Sequence, residues 1–290
     1  MDQHSREIAM IQVLTTPSLS QISTAIEWLV AQDQKNLDLE IALNLILQGQ
    51  IIPHERGGLV AIAYAAAQAT PCNEFGKLTE IQGIVMAKPA NLHVSIVCAN
   101  AVIAEMLFAL VAARGCPKRF CASEPTKNWI RPLLLQRYSV QREFDQRVLV
   151  CSQPPQDGAG RWAVPQDKPA LQAYAAAYLA ERGSGSLDYP WDDWIEQRRI
   201  AVLEQDGQIV AVVRRGETSH CAIVVAPFTF APFRRQGFAR RLLTFFTKEV
   251  LQEFPAVMLW VDQDNTAAIA LYNALNFQWI GNCYTGYFVN

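Results

Sequence analysis

The sequence lacks several features that would point to common protein classes. It has no CxxC pair, its four histidines are scattered, and its seven cysteines are spread over the 290 residues, mostly in apolar contexts. This pattern argues against a metal site and is typical of buried free thiols in a reducing compartment. We therefore expect no metal cofactor and a cytoplasmic location.

Two further absences restrict the partners. The formal net charge is −2, so the chain as a whole is not built to neutralise nucleic-acid phosphates. No uninterrupted apolar run reaches the ~18 residues typical of a membrane-spanning helix, and the N-terminus has no basic-then-apolar signal pattern. We expect neither a nucleic acid nor a membrane as a partner. The pattern sets no oligomeric state.

The composition along the chain indicates two domains. Residues 151–169, "CSQPPQDGAGRWAVPQDKP", lack periodicity and are rich in Pro, Gly, Gln and Asp, so we predict a linker between domains at 1–150 and 170–290. The second half reads as helices, a hairpin at Asp206-Gly207, a strand with a bulge or bend at Pro227, and then helix, strand, helix and closing strands. This order predicts an α/β (α+β) fold, a mixed and mostly antiparallel sheet with helices on both faces.

The N-terminal half repeats part of this hydrophobic pattern. With a shift of 139 residues, Ile103 and Leu107 fall on Leu242 and Phe246, and no gap is needed from about residue 98 to residue 138. The pattern predicts two tandem copies of one domain. Chance agreement between two helix–strand–helix segments is the alternative.

One short stretch carries an unusual charge pattern. Residues 232–243, "PFRRQGFARRLL", hold four arginines around a predicted helix start. That end of a helix is already partly positive, so each exposed cation there is unfavourable by ~0.3–1 kcal/mol. Its first amides lack internal partners and favour an anion, and Gly237 lets the backbone approach one closely. A diphosphate ligand explains the stretch; arginines on a merely solvated face are the alternative.

Two motifs resemble the GNAT superfamily of acyl-CoA N-acyltransferases. Residues 234–239, "RRQGFA", match its pyrophosphate loop, [Q/R]-x-x-G-x-[G/A]. The later segment "LWVDQDNTAAIALYNALNFQWIG" is similar to its strand–Asn–helix–Leu-Tyr–Gly-Phe segment. The resemblance covers roughly residues 160–290 and implies the GNAT-type sheet. The chain departs from the pattern at Asn276, where the family commonly has Gly, and at Ala231, where Pro is usual.

The resemblance implies a role for each matching residue. Acetyl-CoA is the default co-substrate, the loop amides hold its diphosphate, and the backbone near residue 230 meets the pantetheine arm and polarises the thioester carbonyl. Tyr272 is implied as the acid that protonates the leaving thiolate, with a core tyrosine as the alternative. Asn265 is implied as a cofactor contact, with a plain helix N-cap as the alternative. The implied cofactor-binding residues are Thr229, Phe230, Ala231, Arg234, Arg235, Gln236, Gly237, Phe238, Ala239, Arg240 and Asn265.

The base that deprotonates the amine is less obvious. The family often uses a Glu on the strand before the loop, but "SHCAIVVAPFTF" contains no carboxylate. His220 is the one titratable group there with suitable chemistry, and Glu217 precedes it. An exposed structural role is the alternative for both. We take His220 and Tyr272 as the candidate catalytic residues.

The same offset predicts that the first half is non-catalytic. Gly237, Asn265 and Tyr272 are the chemical positions of the second half, and all three differ in the first; their counterparts are Cys98, Thr126 and Leu133. We therefore expect residues 1–150 to be a degenerate GNAT-like copy that packs against the second half and shapes its acceptor pocket.

The acceptor is only partly constrained. Tyr189, Trp191 and Trp194 fall where the family's first helices border the acceptor site, and Asp192 or Asp193 could receive an amine there. A hydrophobic staple with an acidic helix start is the alternative. The expected function is transfer of an acyl group to a small-molecule amine or a protein amine by direct attack. A non-catalytic acyl-CoA-binding or sensing protein is the rival.

Overall fold

The computed structural model describes residues 11–32, 36–66, 78–89, 91–153, 155–183 and 186–290. The chain divides into two compact units. The N-terminal unit comprises residues 1–148 together with 280–290, and the C-terminal unit comprises residues 149–279. In the part of the chain described, no helix has the length and apolar character needed to cross a membrane.

The two halves of the chain follow the same element order. The first contains β1 (Ile11–Leu14), α1 (Leu19–Ala31), α2 (Leu37–Leu47), β2 (Leu59–Ala66), β3 (Leu78–Ala87), β4 (His93–Cys98), α3 (Ala101–Ala112), β5 (Arg119–Ser123), α4 (Thr126–Arg137) and β6 (Ser139–Cys151). The second contains β7 (Arg161–Trp162), α5 (Lys168–Arg182), α6 (Trp191–Glu196), β8 (Ile200–Gln205), β9 (Gln208–Glu217), β10 (Ala222–Thr229), α7 (Phe238–Val250), β11 (Val257–Asp262), α8 (Thr266–Asn273) and β12 (Gln278–Val289). Both runs read β-α-α-β-β-β-α-β-α-β, so the predicted tandem arrangement is confirmed.

The N-terminal unit has helices on both faces of its sheet. Its strand order is β1-β2-β3-β4-β5-β12-β6. Leu59 and Ala61 of β2 pack with α3 and α4 on one face, and Val60 and Ile62 pack with α1 and α2 on the other. Since successive side chains of a strand point to opposite faces, a strand covered on both sides becomes a nearly continuous apolar run.

The C-terminal unit repeats this layering. Its strands run β7-β8-β9-β10-β11, with α7 and α8 on one face and α5 and α6 on the other. Only β10 and β11 are parallel among these pairs. The predicted mixed, mostly antiparallel sheet with helices on both faces is therefore confirmed.

Local signals of the sequence account for the connections in this unit. Asp206 and Gly207 both have positive φ, 52° and 76°, as the tight hairpin turn requires. The strand β10 shifts register between Val225 and Phe228, so the bulge predicted at Pro227 is present. Helix α7 buries Phe238, Leu242, Phe246 and Val250, which recur at helical spacing on one face.

The C-terminal segment differs from the predicted domain limits. The single strand β12 pairs residues 283–287 with residues 119–123 of β5, so residues 280–290 belong to the N-terminal unit and not to a domain at 170–290. The apolar pattern shows that this segment is a strand. It carries no information about which neighbour accepts its backbone hydrogen bonds, because every strand offers the same ladder of donors and acceptors.

The predicted linker at residues 151–169 also lies within the C-terminal unit. Arg161 and Trp162 pair with Val202 and Ala201 of β8. The Ala159 N–H donates to the carbonyl of Arg241 on α7 at 3.1 Å, and a Cβ added at Gly158 would lie 2.3 Å from the Phe245 nitrogen. Gly158, one of the residues that suggested a linker, is instead required for close contact with the helix.

Candidate active site

The two parallel strands of the C-terminal unit separate along their length. They pair only at their beginnings, Ala222 with Val257 and Ile223 with Met258. Beyond these pairs β10 continues to Thr229 and β11 continues to Asp262. The strands therefore open towards their carboxyl ends, where α7 and α8 begin, and this opening is the candidate site.

Backbone groups of Thr229 face the opening. The Phe230 N–H donates to the Val210 carbonyl at 3.1 Å, so Phe230 and Val210 form a hydrogen-bonded pair of the antiparallel ladder. The adjacent pair, Thr229 and Ala211, must then be non-hydrogen-bonded, and the N–H and C=O of Thr229 point away from β9. The Phe230 amide, expected from the sequence near the thioester, is already used inside the sheet.

The loop before α7 presents uncapped amides. Gly237 is the N-cap of α7 in the left-handed region, with φ 82°, and no side chain caps the helix. The first intrahelical bond runs from the Arg241 N–H to the Gly237 carbonyl at 3.1 Å. Among the described residues, none accepts a hydrogen bond from the amides of residues 235–240. These amides and the helix dipole form a site for an anion.

The shape and charge of this loop suit a polyanion. A Cβ added at Gly237 would meet nothing within 4 Å, so the concave side of the loop is open. Arg235, Arg240 and Arg241 are exposed, and no carboxylate of the described residues pairs with them. The first turn of α7 has no acidic residue. The amides, the glycine and three cations together fit a diphosphate.

The remaining loop residues have structural contacts. The Gln236 side chain donates to the Pro232 carbonyl at 3.1 Å and closes the turn. Phe238 is buried, with its ring centroid 6.3 Å from that of Phe233. Ala239 is half-buried, and Ala231 begins a short 3₁₀ turn. Their contribution to a ligand is therefore limited to backbone groups, apart from the exposed Gln236.

Arg234 does not join the other cations. Its Nε donates to the Thr229 carbonyl at 2.9 Å, and its Nη2 contacts both carboxylate oxygens of Glu181 at 2.6 and 2.8 Å. Its guanidinium also lies 5.4 Å from the Phe228 ring centroid. The sequence-based role of Arg234 as a phosphate ligand is not supported, because this side chain is folded back onto the end of β10 and held there by α5.

Asn265 caps α8. Its side-chain oxygen accepts from the Ala268 N–H at 3.1 Å, and the residue remains partly exposed beyond the end of β11. The N-cap alternative is thus confirmed. The cofactor contact stays a prediction, and the side-chain amide nitrogen is the group that could make it.

Tyr272 lies on α8 with a buried ring and an available hydroxyl. The ring packs 5.7 Å from that of Phe277. The hydroxyl bonds to no described residue and is not among the fully enclosed polar atoms that lack a partner, so it keeps contact with solvent. Burial raises the pKa of Tyr272 to about 12, against a smaller opposing effect of the Arg182 charge. A phenol in this state is protonated at neutral pH and can serve as an acid.

His220 lies at the wrong end of its strand for catalysis. It precedes β10, whereas the opening lies beyond Thr229. Eight residues of extended chain place these ends roughly 25 Å apart. Glu217 lies at the same distant end, where it pairs with Arg199 and Arg215. The resemblance already implied that the thioester lies near residue 230, so His220 was suggested by its chemistry and not by its position on the strand.

In the N-terminal unit the two parallel strands that correspond to β10 and β11 do not separate. There β4 and β5 stay paired over four residue pairs, from His93–Arg119 to Ile96–Ala122. The Thr126 hydroxyl accepts from the Cys98 N–H at 2.9 Å and lies 3.3 Å from the Cys98 carbonyl. The helix that follows is capped by Asn100, whose side chain accepts from the Ile103 N–H.

In the N-terminal unit, the residue that corresponds to Gly237 is Asn100 and not Cys98. Both Gly237 and Asn100 are helix N-caps, so they correspond by position in the fold. The constant offset of 139 instead paired Gly237 with Cys98. It fails here because the loop between strand and helix differs in length in the two halves, which shifts the register immediately before the helix.

Several residues of this region were not found from the sequence. Glu181 and Arg182 lie in the last turn of α5, and they contact Arg234 and Asp262 respectively, the latter at 3.7 Å. Asp262 ends β11 at the opening, a position typical of ligand sites. In the described residues no group of three or more His, Cys, Asp or Glu side chains is placed to hold a metal ion.

The aromatic cluster has an unexpected occupant. The rings of Tyr189 and Trp194 lie 4.6 and 5.3 Å from the guanidinium of Arg214, so a cation of the chain itself covers these rings. Trp191 is buried, and Asp192 pairs with Lys168. One hypothesis from the sequence is that these rings and acids hold the acceptor amine. In the structure the Arg214 guanidinium already occupies the faces of Tyr189 and Trp194.

Comparisons with known proteins agree with this architecture. Residues 168–277 match the family model described as the acetyltransferase (GNAT) family. No curated protein matches the chain. A GNAT-family acetyltransferase from Colwellia psychrerythraea is 14% identical, with a TM-score of 0.61 over 96% of this chain and 100% of that chain.

Two further solved structures resemble the whole chain. A GCN5-related N-acetyltransferase from Sphaerobacter thermophilus is 15% identical, with a TM-score of 0.59 over 96% of this chain and 95% of that one. A tandem GNAT protein from the clavulanic acid biosynthesis pathway is 10% identical, with a TM-score of 0.53 over 95% and 98%. At these identities the likeness shows the fold, and it extends over both halves.

Proposed function

We propose that this chain, whose residues 168–277 form a domain of the GNAT acetyltransferase family, transfers an acyl group from an acyl-CoA to an amine, with acetyl-CoA as the default donor. The observation that carries the proposal is the uncapped helix start at Gly237 beside the opened strands β10 and β11. Free amides, three unpaired arginines and an exposed strand backbone suit the diphosphate and the amide-bearing arm of CoA.

The residues of the opening supply the steps of a direct transfer. The Thr229 N–H hydrogen-bonds the thioester oxygen and stabilises the negative charge that develops when the amine attacks. The carbon–sulfur bond then breaks, and Tyr272 gives its proton to the departing thiolate. The proton released by the new amide nitrogen passes to solvent, since His220 and Glu217 lie at the far end of β10. An acylated amine and free CoA leave, and solvent returns a proton to Tyr272.

The decisive experiment is a titration with acetyl-CoA and CoA, followed by thiol release with a panel of amines. We expect binding by the intact chain and amine-dependent thiol release. The variant Gly237→Ala should lose CoA affinity by at least about tenfold, because a side chain in the left-handed region strains the loop and fills its concave side.

A matched control is available at the hairpin turn. Gly207 has a similar φ, 76° against 82°, and an added Cβ there also meets nothing within 4 Å. Gly207→Ala should impose a similar backbone strain and leave CoA affinity unchanged. Equal loss of affinity in both variants, or no CoA binding by the intact chain, would overturn the proposal.

A second candidate function is supported by one observation. Two carboxylates at the opening are held in ion pairs, Glu181 with Arg234 and Asp262 with Arg182, whereas Asp264, in the turn between β11 and α8, is exposed to solvent. An acyl-CoA-binding or sensing protein needs no base. Binding of acetyl-CoA without thiol release across a broad panel of small amines and peptide amines would favour this second function.

A further inference from the structure

An aromatic wall extends from the opening along the α5 side of the C-terminal unit. The ring of Phe228 lies 5.4 Å from Phe230, 5.8 Å from Tyr174 and 6.2 Å from Tyr178. All of these except Tyr174 are only partly buried. Because Phe230 directly follows Thr229, the wall begins where the acyl group would be transferred; the Arg234 guanidinium covers part of Phe228, and the remaining ring surface is available to an acceptor.

Arg214 lies at the other end of this wall. It stands opposite Val225 in the β9–β10 ladder and shares a strand face with Val212, which packs against α5 and α6. Tyr174, which forms the middle of the wall, donates its hydroxyl to the Ala226 carbonyl at 2.9 Å. The wall therefore joins the opening to a cation.

This cation lacks the anionic partner that its neighbours have. Arg199 contacts Glu217, and Arg215 contacts both Glu217 and Glu253. No carboxylate of the described residues pairs with Arg214.

The Nε atoms of Arg214, Arg199 and Arg215 are all enclosed without a hydrogen-bond partner, so the missing carboxylate is what distinguishes Arg214 from the other two. The guanidinium stacks on Tyr189 and Trp194 and hydrogen-bonds the Tyr174 hydroxyl, and these neutral partners do not balance its charge. A partly buried guanidinium in this state is a ready partner for a carboxylate.

The ladder gives the spacing along β9 between the backbone position of Arg214 and the position opposite the transfer point. Thr229 stands opposite Ala211, and Arg214 is three residues further along β9. Three residues of strand span about 10 Å. An α-amino acid cannot bridge this gap, because its amine and carboxylate are attached to one carbon atom.

We propose that the acceptor is an elongated amino acid whose amine and carboxylate lie about 10 Å apart across an apolar chain. The carboxylate pairs with Arg214, the chain packs on Phe228 and Tyr178, and the amine reaches the thioester beside Thr229. This inference rests on the proposed function, since it names the acceptor class of the same site. Arg214 is then a specificity-determining residue remote from the reacting atoms.

The test compares ω-amino acids of increasing length with n-alkylamines of matched length, using thiol release from acetyl-CoA. We expect the amino acids to be preferred by about 10- to 100-fold in kcat/KM at the length that spans about 10 Å, as a charge-assisted hydrogen bond supplies. Shorter amino acids should lose the preference.

Variants at one position assign the preference to Arg214. Arg214→Gln should bring amino acids and alkylamines to equal kcat/KM and leave the KM for acetyl-CoA unchanged, whereas Arg214→Lys should keep part of the preference. Arg199→Gln is the control, because that arginine already pairs with Glu217.

The outcomes separate this inference from the proposed function. If acetyl-CoA binds and alkylamines are acylated as well as amino acids at every length, the acceptor assignment is wrong and the transferase remains. A length-dependent preference that survives in Arg214→Gln also overturns it. Absence of acetyl-CoA binding would instead end the proposed function itself.

Discussion

The two units pass from a central strand to the following helix in different ways. In the N-terminal unit, residues 99 and 100 are the whole connection between β4 and α3. In the C-terminal unit, residues 230–237 separate β10 from α7. The short connection keeps its strands paired, while the long one allows the strands to open.

The backbone groups between strand and helix also differ in their partners. In the N-terminal unit, Asn100 caps the helix and Thr126 satisfies the backbone of Cys98. In the C-terminal unit, Gly237 supplies no cap and the Thr229 N–H faces the opening. The N-terminal copy thus pairs the Cys98 and Ile103 amides with its own side chains, whereas the C-terminal copy leaves the Thr229 amide and the first amides of α7 for a ligand.

The largest effect should come from Tyr272, whose counterpart under the offset is Leu133. Tyr272→Phe removes the proposed acid and should lower kcat by about 100- to 10,000-fold with little change in CoA affinity. Steady-state kinetics with a CoA titration measure both. Leu133→Ala, its control, should lower stability and leave kcat unchanged. Full activity of Tyr272→Phe would remove the catalytic distinction between the units.

The pH dependence sharpens this assignment. Because burial raises the pKa of Tyr272 to about 12, the phenol keeps its proton well above pH 9, and loss of the acid should not reduce turnover between pH 8 and pH 10. The folded pKa lies above the ordinary value of 10, so the associated stability is present below about pH 10 and is lost as the pH rises towards 12. A decline of kcat with a midpoint near pH 9 that is absent in Tyr272→Phe would contradict this.

The next largest effect is a loss of stability in the N-terminal unit, where Thr126 bonds the backbone of Cys98. Thr126 is fully buried, and Thr126→Val keeps its shape but leaves the Cys98 N–H without a partner. We expect a loss of about 1–3 kcal/mol in the free energy of unfolding, measured with urea, and no change in CoA affinity. Weaker CoA binding without a loss of stability would show that the N-terminal unit takes part in binding.

Asn265 corresponds to Thr126 under the offset of 139 residues, and here we expect a substitution to affect CoA binding as well as stability. Asn265→Ala should cost about 1 kcal/mol of stability through loss of the N-cap, and it should also weaken CoA binding if the free side-chain nitrogen contacts the cofactor arm. Asn265→Asp separates the two effects, since it keeps the capping oxygen and loses the donor. Normal CoA affinity in both variants would limit Asn265 to its capping role.

The smallest effect is on the rate of CoA association, through the Glu181–Arg234 pair that covers the Thr229 carbonyl. Glu181→Gln weakens the hold on Arg234 and should change the CoA association rate by only a few-fold, because both side chains are about half exposed and such pairs contribute up to about 1 kcal/mol. Stopped-flow binding measures the rate, and Lys168→Gln, which breaks the exposed pair with Asp192, is the control. Identical rates in all three proteins would show that Arg234 does not restrict the opening.

The contribution of the sequence can be judged from particular residues. Gly237, Asn265 and Tyr272 were found because the sequence around a strand end, a glycine turn and a helix start is local information. Glu181 was not found, because it meets Arg234 across 53 residues of chain. His220 was suggested because no carboxylate lies on that strand, but it precedes β10 and lies far from Thr229, at the opposite end.

The sequence by itself determined the order of helices and strands, the glycine at the start of α7 and the position of the phenol on α8, since each depends on residues within a few turns of chain. Only the tertiary structure decided that β12 joins β5, that Arg234 folds back onto the end of β10, and that Arg214 has no carboxylate partner. These outcomes depend on which distant backbone and charged groups satisfy one another. Such groups are chemically alike along the chain, so their partners are fixed only when the elements pack.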